Sequence, residues 1–300
     1  MTDQKKAYLY ALLAVLAWST VATAFKISLR YLTFLELLLY SSLFSALVMA
    51  AVLIGLGRLR DLRRCTRRDY LSSAGLGFLN PFAYYLVLLK AYSLVPAQIA
   101  QPLNYTWAVV IVVFSIIFLR QKITLGRVAA ILVSYLGVIV IATRGRFWNF
   151  GTVNPGGVVL ALGSALIWAT YWLVNLRDRR DAAVKLFLNF VFGFLYALAA
   201  SAAFALPRRP DLRGLFGAAY IGTFEMGVTF ILWLKALKLS RTTAQVSNLI
   251  FLAPFLSLVL INFVLREKVV LPTIFGLVLI VAGIFMQQLK KPDRAALMKQ

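Results

Sequence analysis

Histidine is missing from this 300-residue chain, and cysteine occurs once, as Cys65. Without imidazole there is no Ser-His nucleophile pair, no common zinc motif and no histidine proton relay. A lone cysteine forms neither an intramolecular disulfide nor a metal cluster. Acids are scarce as well: ten Asp and Glu stand against 32 Lys and Arg. They form no closely spaced carboxylate pair inside an apolar stretch, so acid–base chemistry of the usual kind has little to stand on. No P-loop sequence occurs, and direct use of ATP is not expected. Nothing in these features calls for a cofactor or a metal.

What is abundant is apolar surface. Hydrophobic residues make up 62% of the chain and charged residues only 14%. A soluble domain of this length has no interior large enough for that much apolar area, so lipid must cover it. The net charge of +22 raises the question of nucleic acid. Its distribution answers it, because the basic residues lie in short stretches between apolar segments. Such bands suit anionic headgroups. The expected partners are a small-molecule substrate and a bilayer with anionic headgroups, with no nucleic acid.

Ten apolar stretches reach the ~20 residues that a helix needs to cross a ~30 Å hydrocarbon layer. They run over 7–27, 33–56, 70–89, 97–119, 125–143, 156–176, 184–206, 214–234, 244–264 and 271–289. The first carries Lys5 and Lys6 before its apolar run and Ala22-Thr23-Ala24 near its end, the outline of a cleavable signal peptide. Its Trp18 and Thr20 recur later as Trp168 and Thr170, so a retained helix is expected. With the amino terminus placed inside, 22 of the 32 basic residues fall on the cytoplasmic side. Both termini are therefore expected in the cytoplasm.

The chain also echoes itself. Ala100-Gln101-Pro102-Leu103-Asn104 returns as Ala244-Gln245-Val246-Ser247-Asn248. Leu119-Arg120-Gln121-Lys122 returns as Leu265-Arg266-Glu267-Lys268, Lys90-Ala91 as Lys235-Ala236, and Trp18-Ser19-Thr20 as Trp168-Ala169-Thr170. Offsets between 144 and 150 mark two copies of one unit, 1–150 and 151–300. Five spans per copy is an odd number, so the second copy enters from the opposite face. The expected fold is an all-α polytopic membrane protein with two inverted five-helix repeats around a central cavity. Inverted pairs of this kind support alternating access, with the substrate held where the copies meet. Both halves lie in one chain, so a monomer is expected to suffice.

Trp18 and Trp168, and the passages Leu265-Arg266-Glu267-Lys268 with Gly276 and Gly283, resemble the drug/metabolite transporter superfamily, in particular its ten-helix EamA-type exporters. Gln121 stands where the family usually has an acid. Asn80-Pro81-Phe82-Ala83-Tyr84-Tyr85 and Asn104-Tyr105-Thr106-Trp107 are similar to a branch that exports aromatic amino acids and also handles the cationic herbicide paraquat. The resemblance implies a basket of ten helices and a secondary transporter of a bacterial inner membrane rather than an enzyme.

Polar groups within the spans are the candidate site. Gln98, Gln101 and Tyr105 share one face of span four, which Asn104 extends. Pro102 frees a carbonyl one turn earlier. Amides and carbonyls can hold an ammonium or a carboxylate; they can also bond helix to helix, and Gln245 and Asn248 fit either role. Asn80 and Tyr84 share a face beside Pro81, a place for a kink. Trp168, Tyr171, Trp172 and Asn175 form a stripe on span six. Trp and Tyr faces stack on rings and attract cations, which makes Trp18, Trp107, Trp168, Tyr105 and Tyr171 candidates. Aromatics also form interface belts, the role expected of Trp172. Glu225 is the one acid well inside a span, able to carry a coupling proton, attract a cation or pair with a polar neighbour. An exporter of aromatic amino acids is the leading reading, with amines, nucleobases and quaternary cations as alternative cargo. A lipid-modifying enzyme and a receptor or scaffold are less well served by these residues.

Overall fold

A computed structural model describes residues 2–118, 125–146, 153–175, 177–178, 180–204, 209–240 and 248–289. Six helices are long and apolar enough to cross a membrane alone: α1 (Asp3–Ser28), α2 (Phe34–Gly55), α3 (Arg67–Leu94), α7 (Pro155–Asn175), α8 (Ala182–Phe204) and α9 (Leu212–Leu239). Between them, α4 (Ala97–Asn104) and α5 (Trp107–Phe118) form one broken crossing, and α6 (Leu125–Ala142) another. The last two crossings are α10 (Leu252–Leu265), entered through the tight turn Asn248–Phe251, and α11 (Leu271–Leu289). The protein is an all-α polytopic membrane protein, and the described helices make ten crossings. Large apolar side chains such as Leu16, Phe216, Phe263 and Phe275 face outward, as lipid contact requires.

Local chemistry sets the helix ends. Thr33 and Glu36 form a reciprocal capping box at the start of α2, and Thr66 and Asp69 do the same for α3. Each pair satisfies two amides that the first turn leaves without helical partners. Proline sets the breaks. Pro81 interrupts α3 next to Asn80, whose φ of −148° and ψ of 121° lie outside the helical region. In span four the chain leaves the helix at Tyr105 and Thr106, one turn after Pro102.

Helix contacts follow the inverted repeat. α1 packs on α9 and α10, while its repeat partner α7 packs on α3 and on α4 and α5. α2 packs on its own partner α8, and α6 on its own partner α11. The α6–α11 contact is backbone-close. A Cβ added to Gly137 would lie 2.5 Å from the Gly276 carbonyl oxygen, so only glycine fits there.

Both repeats distort the same helix at corresponding positions. The wide turn Phe78–Ala83 in α3 and the wide turn Ile221–Val228 in α9 lie about 145 residues apart, the offset that relates Lys90 to Lys235. By that offset Asn80 corresponds to Glu225. Widened turns leave backbone groups without their usual partners and recur at functional sites.

Candidate functional site between the repeats

A cavity of about 450 Å³ lies where the two repeats meet. Its walls are supplied in repeat-related pairs. Trp18 of α1 answers Trp168 of α7, Leu88 of α3 answers Trp233 of α9, and Tyr92 answers Leu237. Gln101, Asn104, Tyr105 and Trp107 enter from the break between α4 and α5. Five of the chain's six tryptophans line it: Trp18, Trp107, Trp168, Trp172 and Trp233. The sixth, Trp148, lies outside the described residues.

The rings contact one another in one linked set, in which Trp168 and Trp18 both meet Phe230 edge-on, at 5.9 and 6.2 Å. Trp168 lies 4.5 Å from Tyr84, tilted by 33°, and 5.9 Å from Trp172 edge-on. Beyond Phe230, Trp18 lies 5.4 Å from Trp233. Such geometries exploit the ring quadrupole and hold the rings as rigid faces. Asn104 organises one wall: its Oδ1 accepts from the Tyr84 hydroxyl at 3.2 Å, and its Nδ2 donates to Ser164 Oγ at 2.8 Å. Gln101 differs, with Oε1 buried and without a partner among the described residues. Glu225 accepts from the Tyr85 hydroxyl through Oε1 at 3.0 Å, while Oε2 has no described partner.

Eight of the residues singled out in the sequence thus meet here: Trp18, Tyr84, Gln101, Asn104, Tyr105, Trp107, Trp168 and Glu225. Three do not line the cavity. Gln98 lies in the first turn of α4, where its Nε2 donates to the Lys268 carbonyl at 3.0 Å and its Oε1 accepts from Val270 N–H at 3.2 Å. Its position near the helix end turns the amide toward the α10–α11 hinge instead of toward its face-mates. Asn80 is fully buried at the break in α3, and Tyr171 lies behind Trp168, with the Asn80 and Asn189 side chains around its hydroxyl. Gln245 and the Asn248 side chain lie outside the described residues. Trp172, expected at the interface, lines the cavity; the turn between Trp172 and the basic loop leaves it deep enough to reach Trp168. Trp233 escaped notice because it sits beside Lys235 and Lys238. Its signal was its spacing of two turns from Glu225.

The cavity runs from Phe25 and Tyr92 to Trp172 and Leu237, the latter within a turn of the ends of α7 and α9. Beyond Tyr92 lies a second space of about 260 Å³, lined by Lys26, Arg30, Tyr92, Ser93 and Glu267 among others. Tyr92 belongs to both, so it is the partition. That end is tied shut. Lys26 Nζ donates to the Tyr92 carbonyl at 2.7 Å, and the Glu267 carboxylate accepts from Ala97 and Gln98 N–H at 3.3 and 3.4 Å. A carboxylate there answers the partial positive charge of a helix start.

The EamA-like transporter family model matches the chain twice, over residues 5–143 and 155–287. The chain belongs to this family, within the drug/metabolite transporter superfamily. Among its EamA-type relatives, the inner membrane protein YtfF of Escherichia coli is 28% identical over 95% of this chain and 96% of its own. The uncharacterized transporter YvbV of Bacillus subtilis is 27% identical over 82% and 80%. The aromatic amino acid exporter YddG of Ancylobacter novellus is 29% identical over 67% of each chain. One solved crystal structure shares the fold across 99% of both chains, with a TM-score of 0.66 and 22% identity. The protein is a transporter-type membrane protein built on the EamA plan.

Proposed function

We propose that the protein is a secondary exporter of small aromatic metabolites, aromatic amino acids and aromatic amines among them, working by alternating access through the central cavity. One observation carries the reading: five tryptophans, two amides and one carboxylate converge on a single space between inverted repeats. Ring faces bind a flat aromatic body by stacking, each pair contributing about 0.5–1.5 kcal/mol beyond burial. Gln101 Oε1 is placed to accept from an ammonium group, and a relative named as an aromatic amino acid exporter makes amino acids the first cargo to try.

The repeats 1–150 and 151–300 act in this reading as the two rocking halves, and one chain contains the whole path. The face that carries 22 of the 32 basic residues is the cytoplasmic one, with both termini on it. The closed end at Tyr92, Lys26 and Glu267 is then the outer gate. Purified protein in liposomes tests the proposal. Labelled phenylalanine or tryptophan should cross faster than in empty vesicles. Amines, nucleobases and quaternary cations form the comparison panel, and inert vesicles across the whole panel would remove the reading.

A further inference from the structure

Among the described residues that line the cavity, Glu225 is the one acid, and none is Lys or Arg. The carboxyl is buried and exposes only 8% of its residue surface. The titratable groups facing it are phenols: Tyr84, Tyr85 and Tyr92 from α3, and Tyr105 from the α4–α5 break. α1 and α2 also pack on the Glu225 turn. From α2 the neighbouring polar contact is Ser45 Oγ on the Met226 carbonyl, and no charged side chain of either helix acts on the carboxyl. The Lys26 ammonium on α1 is turned to the other end, toward Glu267 and Arg30.

A bare carboxylate in a site enclosed by lipid and aromatic rings is costly. It can be neutralised in two ways, by a proton or by a cation from the cavity, and one carboxyl cannot hold both. Around it stand ring faces suited to a cation or to its aromatic body, and the free Gln101 carbonyl oxygen adds an acceptor for an ammonium N–H. Nothing among the described lining residues offsets the negative charge of a cargo carboxylate.

We propose that the preferred cargo is an aromatic monoamine, bound as its cation, and that Glu225 exchanges one proton for each amine. The step is a carboxylic acid plus R–NH₃⁺ giving a carboxylate–ammonium pair plus H⁺. One O–H bond breaks, no electrons are transferred, and charge balances. An amine gradient and a proton gradient are thereby coupled at one atom pair. This inference rests on the cavity being the transport site, and it narrows the cargo from aromatic metabolites to amines.

The cavity tryptophans supply the readout. Phenylethylamine, phenylalanine and phenylacetamide are titrated against purified protein by tryptophan fluorescence, with a pH indicator in weak buffer. Phenylethylamine should bind at least tenfold more tightly than the other two and release close to one proton per amine. Its affinity should rise by up to about tenfold per pH unit while the carboxyl is protonated. Glu225→Gln should lose at least tenfold in amine affinity and all proton release, with monodisperse elution in detergent reporting an intact fold. Glu225→Asp should restore part of both and covers the case in which the glutamine variant fails to fold. In liposomes, an inward proton gradient should drive phenylethylamine out of the proton-poor lumen, against its own gradient and faster than in protein-free vesicles. Wild-type amine affinity in Glu225→Gln, or binding without proton release, overturns the inference. Phenylalanine flux without amine preference overturns it while leaving the exporter reading standing; no binding or flux with any probe removes both.

Discussion

Asn104 shows how a polar residue in a lipid-embedded helix can serve packing and function together. Its amide is engaged on both sides, by Tyr84 and by Ser164, and those bonds fix the ring on which Trp168 lies. Asn104→Ala would leave the Tyr84 and Ser164 hydroxyls short of a partner in a buried setting, at a cost of about 1–3 kcal/mol. A lower thermal midpoint in detergent is the expected result. Trp168→Ala removes a cavity wall and should reduce aromatic flux at least tenfold with insertion unchanged, whereas Trp168→Phe should retain much of it.

Outside the membrane, burial pushes the Asp178 carboxyl upward, yet the Arg180 guanidinium at 2.6 Å more than compensates and holds it below the ordinary range. Arg180 also donates to the Asp69 carbonyl and to Ser73 Oγ, tying the loop before α8 to α3. A carboxyl depressed in the folded state adds stability above its unfolded value and loses it as pH falls through its folded one. The link should therefore weaken on acidification, and Asp178→Asn should flatten that part of the stability–pH profile.

Among the elements, the closed end depends on one repeat holding the helix start of the other. Glu267 stands in the α10–α11 connection, and it reaches the first amides of α4. Gln98 returns two bonds to that connection. Glu267→Gln and Gln98→Ala should loosen this end. Ser93 lines the outer space, so Ser93→Cys in a Cys65→Ser background reports on it: thiol labelling should quicken severalfold when Glu267 is changed. Native Cys65 would otherwise intrude, although burial pushes its thiol up and slows its own labelling at neutral pH. An unchanged Ser93→Cys rate would mean that Glu267 and Gln98 merely brace the helix ends. The α6–α11 seam is a different matter. Any side chain at Gly137 or Gly276 meets backbone, so Gly137→Val should cost about 1–3 kcal/mol or more through overpacking.

For the molecule as a whole, the repeat was legible because duplication leaves side-chain echoes whose offsets can be counted. Five spans per copy then gave the inversion and the place of the cavity. The ring-bearing walls Trp18 and Trp168 were legible for the same reason, since each helped to identify the other. Harder to see was the direction of side chains near helix ends. Gln98 shared a helical face with Gln101, but its place in the first turn of α4 brought it to the neighbouring hinge. Trp172 and Trp233 lie near basic residues, and composition alone does not separate a belt tryptophan from a cavity one. The correspondence of Asn80 with Glu225 became visible only when the two wide turns fell one repeat offset apart. One repeat carries a neutral amide there and the other an acid, an asymmetry that fits a cavity with one charged wall.

The central claim is that the aromatic cavity between the repeats is the path of a small aromatic cargo. Its most direct measurement is flux of labelled aromatic amino acids and aromatic amines into proteoliposomes, wild type beside Trp168→Ala. Saturable flux well above empty vesicles is expected, lost at least tenfold in Trp168→Ala. Equal flux in the two proteins, or none in the wild type, would contradict it.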